Sequence, residues 1–361
     1  MSDLTYTTID EQIDKLKSQH LQFVDEENAK SRLQKYGYYN IINGYRDPFI
    51  IRQDSTKYYC PGTTFEQIFA LFALDHKLRN AVLLSTIDFE EQLKASVAEI
   101  IACDFGTTVD EYLNKDNYRD KRVRDPRFSR ESILLSMRSL AHKAPFEPIK
   151  YYKEQHGLIP PWILMKGVFF GTLVNFIRLF KSPQRDKLLV SLYGKDRINI
   201  PDEELKGLMS DSLFLFLEYR NHAAHEGRIY NYIPKAKVRY MDKLSIPQGL
   251  PQLMYAFSYL LHTSPYRLMK SVLDDALDEY GTAYPFDIDR IGRLTGFTID
   301  KTPMVFLNER TKKYHLQSSC SGLTNLYSTP LTHAGLLGYT PCKRCCKEKM
   351  ILSIMNTINN H

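Results

Sequence analysis

Forty residues, 64 to 103, carry apolar side chains at steps of three and four. Phe65, Ile68, Phe69 and Phe72 begin the series, and Leu74, Leu78, Val82, Ile87, Leu93 and Val97 continue it. That period belongs to a helix with one face in a core. Asp75, Arg79, Glu90, Glu91 and Lys94 fall inside the pattern and read mostly as a solvated face, with i,i+4 pairs such as Glu90–Lys94. The alternative is that one of the glutamates orients Arg220 in the folded core.

Helical patterns recur on both sides. Thr8 or Asp10 is placed to cap a first helix bearing Ile13, Leu16 and Leu21, and Asp25 precedes a second, EENAKSRLQKY. Residues 131 to 157, the apolar stretch 162 to 180, residues 183 to 198 and residues 252 to 281 also read as helix, and Pro201–Asp202 opens another. Gly167 and Gly171 permit close helix packing. Residues 36 to 50, rich in Tyr and Ile, read as an aromatic connector, with base stacking as the alternative. The expected organisation is an N-terminal helical and aromatic segment (1–60), a helical domain (61–283), a linker (284–304) with Pro and Gly, and a small module (305–361). The fold class is mostly α, a helical bundle followed by a small metal-stapled α+β module.

A formal charge of +6 and a pI near 8.8 suit a polyanionic partner such as RNA, and equally a soluble protein with surplus surface lysines. No basic and apolar leader opens the sequence, and the longest apolar stretch contains Asn175 and Arg178. A cytoplasmic protein without membrane attachment is expected. Lys121, Arg122, Arg124, Arg127 and Arg130 sit in a basic loop, either a solvated insertion or an RNA-facing surface.

One polar cluster closes an apolar helix: Arg220, Asn221, His222, Ala223, Ala224 and His225, with Gly227 as the stop signal. Positions 221, 225 and 228 share a helical stripe, and Arg220 and His225 flank it, roughly 140° apart. Such a pair converges best on a ligand at the helix end or between two such helices.

Four of the six cysteines lie in the last 42 residues. His315-x4-Cys320 followed by Cys342-x2-Cys345 supplies four N and S ligands, the set of a closed tetrahedral zinc site. Cys346 is a substitute for Cys345 or a free thiol, and His333 is a weaker fifth candidate. A short helix over 332–337 is expected between the ligand pairs, and strand before His315.

Arg220-Asn221-x-Ala223-Ala224-His225 resembles the Arg-x4-His signature of HEPN-domain proteins, in a setting similar to the abortive-infection family that includes AbiD and AbiF. Tyr38-Tyr39-Asn40 with Gly44-Tyr45, Asp75-x-x-Leu78-Arg79 followed by Glu91, and Trp162 with Phe170-Gly171-x-Leu173 resemble further stretches of that family. Lys166 stands where the family carries an acid. The resemblance covers about residues 10 to 235. The tail, through Gly338-Tyr339-x-Pro341-Cys342-Lys343-x-Cys345, resembles the small zinc module of the Ada DNA-repair protein; the upstream pair is His-x4-Cys instead of Cys-x3-Cys, so methyl transfer is not implied.

The first resemblance implies a metal-independent endoribonuclease of anti-phage defence, toxic when released. Arg220 would neutralise phosphate charge, His225 would exchange protons and Asn221 would orient them. His222 and Arg228 would contact RNA. One motif per chain implies a homodimer with a composite site, held in check by a regulatory RNA or an antitoxin. The second implies structural zinc; no catalytic metal is expected. The alternative function is a non-catalytic RNA- or protein-binding module.

Overall fold

The structure, a computed structural model, describes residues 6–53, 56–120, 125–143, 145–194, 200–284, 287–297, 304–308, 310–320, 327–331, 334 and 338–346. It divides into two compact units, residues 1–288 and 289–361.

The first unit is built on a helix of 41 residues, Phe65–Phe105. In chain order the α-helices before and including it are α1 (Ile9–Ser18), α2 (Glu26–Tyr36) and α3 (Phe65–Phe105). Thr8 caps α1 in a capping box with Glu11, and the Asp25 side chain caps α2, as the local residue types anticipate. A hairpin of β1 (Ile50–Gln53) and β2 (Thr56–Tyr59) precedes α3. Residues 1–60 are part of the first unit and are stitched to the start of α3. Gln22 N–H reaches Thr63 O at 3.0 Å, Phe65 N–H returns to Gln22 O at 2.9 Å, and Glu66 accepts from the Val24 and Asp25 amides. The aromatic connector forms a single π-helical turn, Tyr39–Asn43, that buries Ile41 and Ile42.

After α3 come α4 (Val109–Tyr112), α5 (Arg130–Lys143), α6 (Ile149–His156), α7 (Pro161–Gly167) and α8 (Phe170–Ile177). They are followed by α9 (Ser182–Tyr193), α10 (Asp202–Ala224), α11 (Arg239–Lys243), α12 (Leu250–Ser258) and α13 (Ser264–Ala283). The apolar stretch 162–180 is two helices, because Val168 and Phe169 turn extended between α7 and α8. Gly167 ends α7 where an added Cβ would stand 2.7 Å from Ile149 Cδ1, so its small size does permit close packing; at Gly171 the nearest atom is an ordinary 3.8 Å away.

Helices α13, α10, α7 and α9 all pack on α3. A cluster of four phenylalanines locks the arrangement. Phe89 of α3 meets Phe216 of α10 edge-on at 4.6 Å, and Phe216 stacks on Phe257 of α12 at 4.4 Å and 8°. Phe170 of α8 closes the group. Such contacts add about 0.5–1.5 kcal/mol each beyond the area they bury. They hold the distal half of α10 in a fixed place beside α3 and α8.

All but the first residue of α14 (Ile288–Thr295) belongs to the second unit, inside the stretch read from sequence as a linker. A four-stranded sheet follows, from β3 (Met304–Asn308), β4 (Lys313–His315), β5 (Tyr327–Pro330) and β6 (Thr340–Pro341), in the order β5-β3-β4-β6. The β3–β4 and β3–β5 pairs are antiparallel and β4–β6 is parallel. Val305, Leu307, Tyr314 and Ala334 form its core together with the thiols of Cys342, Cys345 and Cys346. Most of the expected helix over 332–337, His333 included, lies outside the described residues. Among the described residues, no helix is long and apolar enough to cross a membrane.

Candidate functional site

The C-terminal end of α10 is shaped by the residues that leave it. The helix stops at Ala224, and the His225 amide bonds back to Asn221 O at 3.1 Å. Gly227 was the expected stop, yet Glu226 takes the left-handed backbone, with φ of 59°. Its strained turn is held from outside: Arg79 Nη1 donates to Glu226 O at 3.1 Å. Gly227 serves a different need. A Cβ there would overlap the His222 ring.

His222 is committed to this turn. Its Nε2 donates to the Arg228 carbonyl at 2.9 Å, and the ring stacks on Tyr232 at 3.6 Å and 11°. Tyr232 in turn donates its hydroxyl to Glu218 at 2.7 Å, and Glu218 also accepts the Lys235 and Ala236 amides. Burial pushes the Glu218 carboxyl up, but those three donors outweigh it and hold the group below the ordinary carboxylate range. Arg228 has left the helical stripe expected from its numbering, because α10 has already ended; its Nη1 reaches Gly44 O at 2.6 Å.

Asp75 is the fastener of this region. It is fully buried (0% exposed), contrary to its reading as part of a solvated face. Oδ1 accepts the amides of Ile229 and Tyr230 at 2.8 and 2.6 Å, and Oδ2 accepts the Tyr45 hydroxyl at 2.5 Å. Burial drives the Asp75 carboxyl upward from its usual value, against the pull of those donors and of Arg79. The sequence offers two hints, a carboxylate set between Leu74 and Leu78 in an otherwise apolar register and the family resemblance of Asp75-x-x-Leu78-Arg79; its partners, some 30 and 154 residues away, are not legible there.

The remaining members of the cluster are uncommitted. Among the described residues, the side chains of Arg220, Asn221 and His225 make no hydrogen bond or ion pair, and Arg220 Nε is buried without a partner. Of the two glutamates considered as partners for Arg220, Glu90 pairs with Lys94 at 2.8 Å, and Glu91 lines a different cavity. Arg220 and Asn221 line a groove of about 480 Å³ between α10, α8, α5 and the turn Pro126–Phe128. Phe128, Phe169, Ser132 and Ser136 share its walls. His225 is exposed and is not among the residues that line it. Arg127 also lines the groove and pairs with Asp125 at 2.7 Å; Lys121, Arg122 and Arg124 lie outside the described residues.

In the second unit, one ligand atom each from His315, Cys320, Cys342 and Cys345 lie within 4.8 Å of one another. These are the four ligands the spacing anticipated, and the cluster could hold a metal ion. His315 Nδ1 is 3.5 Å from Cys345 Sγ. Cys346 Sγ lies 3.8 Å from Cys345 Sγ, but it donates to Tyr314 O at 3.4 Å.

A family model described as "Abi-like protein" matches residues 31–231, more than half of the chain. The chain belongs to the Abi-like protein family, an abortive-infection family. No curated protein and no solved structure matches it.

The Abi-like region opens within α2 and closes one residue past Tyr230, the last residue bonded to Asp75. It contains Gly44, Tyr45, Asp75, Arg79, Arg220, His225 and Arg228, and excludes the four-ligand cluster. Three of the stretches that resemble abortive-infection proteins thus meet at one place, around the turn after α10. The fourth meets the far part of α3: Trp162 and Lys166 line a second cavity with Glu91, Lys94 and Glu99, of about 810 Å³.

Proposed function

We propose that this Abi-like protein is an abortive-infection effector that cuts RNA as a HEPN-type endoribonuclease, with Arg220 and His225 as its catalytic pair. The observation that carries this reading is the division of labour at the end of α10. His222, Arg228, Arg79 and Glu218 are all bonded into the turn, whereas Arg220, Asn221 and His225 beside them are left without partners. A rigid frame that presents an unpaired guanidinium and an exposed imidazole is what phosphoryl chemistry requires.

In the reaction, the ribose 2′-OH gives its proton to a base and the 2′-oxygen bonds to phosphorus. The bond from phosphorus to the 5′-oxygen breaks, and an acid returns a proton to that oxygen. His225 serves as the proton carrier. Arg220 neutralises the charge that gathers on the phosphoryl oxygens. Asn221, one turn from His225, orients the phosphate or the imidazole. Each chain carries one such motif at a helix end, so a second copy's motif would complete the site in a homodimer.

Zinc is the ion we assign to His315, Cys320, Cys342 and Cys345. Tetrahedral bonds of ~2.1 Å to nitrogen and ~2.3 Å to sulfur set ligand atoms roughly 3.6 Å apart, and His315 Nδ1 and Cys345 Sγ are 3.5 Å apart. With four protein ligands the ion would be structural and take no part in cleavage.

The test is incubation of purified protein with total RNA in EDTA, beside Arg220→Ala and His225→Ala variants, with sedimentation at micromolar concentration. Cleavage by the parent as a dimer, reduced on the order of 100-fold or more in each variant, is expected. Variants that cut as fast as the parent overturn the catalytic assignment, binding without cleavage in all three supports the binding-module reading, and a strictly monomeric mass overturns the composite site.

A further inference from the structure

We propose that the groove beside Arg220 is a nucleotide subsite, which seats one nucleotide of the RNA strand with its phosphate on Arg220 and its base against Phe128 and Phe169. The proposal deepens the RNA-cleaving reading and takes its substrate class from it.

Four observations converge. The groove, about 480 Å³, falls within the roughly 300–1,000 Å³ of pockets that enclose small ligands. Its lining contains two guanidiniums, Arg220 and an Arg127 that is paired with Asp125, and no carboxylate. Among the described residues the Arg220 guanidinium has no anionic partner, so its charge is left for a ligand in the groove that it lines. Two large rings stand at the groove in contact with solvent: Phe169 is 79% exposed and Phe128 40% exposed.

The placement of Phe169 is the most telling. Its neighbours on both sides, Val168 and Phe170, are buried at 2% each. The chain turns extended at Phe169 to start α8, and that turn throws one ring of an apolar run outward beside the guanidinium. An exposed ring next to an unpaired cation suits a ligand with a flat apolar face and an anionic group, as a nucleotide has. A bare phosphate would leave the rings without purpose, and an apolar ligand would leave Arg220 unpaired. Ser132, Ser136 and Asn221 add hydroxyl and amide groups that can meet base or ribose edges.

The test uses a fluorescein-labelled 2′-O-methyl hexauridylate, which lacks the attacking hydroxyl and so reports binding without cleavage. Its affinity for the full chain is measured by anisotropy, with competition by uridine monophosphate, uridine and inorganic phosphate. Phe169→Ala is expected to weaken binding by about 5-fold to 100-fold, the loss of one stacked base. Phe169→Tyr, which keeps the ring, should retain the parent affinity, and the monophosphate should compete better than uridine or phosphate. The fold of each variant is checked by its helical signal and melting. No binding by the parent, equal affinity in Phe169→Ala, or phosphate competing as well as the monophosphate overturns the subsite. If the methylated strand binds through Phe169 while unmodified RNA is never cut, the subsite stands and the nuclease reading falls.

Discussion

What a polar side chain does near the end of α10 follows from who its partners are. Glu218 illustrates this best. It collects the Tyr232 hydroxyl and two amides, and Tyr232 is the plate on which His222 stacks. Its folded carboxyl lies below the ordinary value of 4.5. A carboxyl depressed by folding contributes stability that is fully present above its unfolded value. That contribution is lost as pH falls from about 4.5 through the folded value. Thermal melts of the parent from pH 7 down to pH 3 should therefore show a drop in stability below pH 4.5 that is smaller in Glu218→Gln. An identical acid-side loss in both proteins would show that Glu218 is not a source of it.

At the scale of the element, the end of α10 is set by a steric pairing between Gly227 and His222. A side chain at 227 must displace the His222 ring, and with it the bond to Arg228 O and the stack on Tyr232. Gly227→Ala is expected to cost about 1–3 kcal/mol, as other overpacking changes do. With His222 already truncated to Ala, the same change should cost less, by about 1 kcal/mol or more. A denaturation double-mutant cycle measures that coupling, and additive costs would remove the steric explanation. Helix α3 is the opposite kind of element. Its apolar period predicted it over 64–103, and it runs Phe65–Phe105 because nothing local interrupts it. The π-turn over 39–43 and the break at Phe169 carry no comparable periodic signal.

For the molecule as a whole, the two units depend on different physics. Residues 1–288 bury a long helix among others, with aromatic packing at Phe89, Phe216 and Phe257. Among the described residues of 289–361 there is a small apolar core in which three of the buried residues are cysteines. A core of that size is marginal alone, and a bound ion would supply what it lacks. Chelation, or Cys342→Ser, should open residues 289–361 to proteolysis while most of the helical signal persists. Purified protein should release about one zinc per chain on treatment with a thiol reagent. Protein with no bound metal, or with proteolysis unchanged by Cys342→Ser, would remove the metal from the account.

Sequence alone determined the features that depend on neighbours a few residues apart. The helical period of α3, the Thr8 and Asp25 caps, the four ligands His315, Cys320, Cys342 and Cys345, and the polar cluster closing α10 are all of this kind. Tertiary structure alone decided which members of that cluster are bonded and which are free. Asp75 needed Tyr45 and Tyr230 beside it to be recognised as a fastener, and Arg220 needed Phe128 and Phe169 to become the wall of a groove. The reason is physical: burial and hydrogen bonding are set by groups that folding brings together from distant parts of the chain, and an isolated helix turn does not contain them.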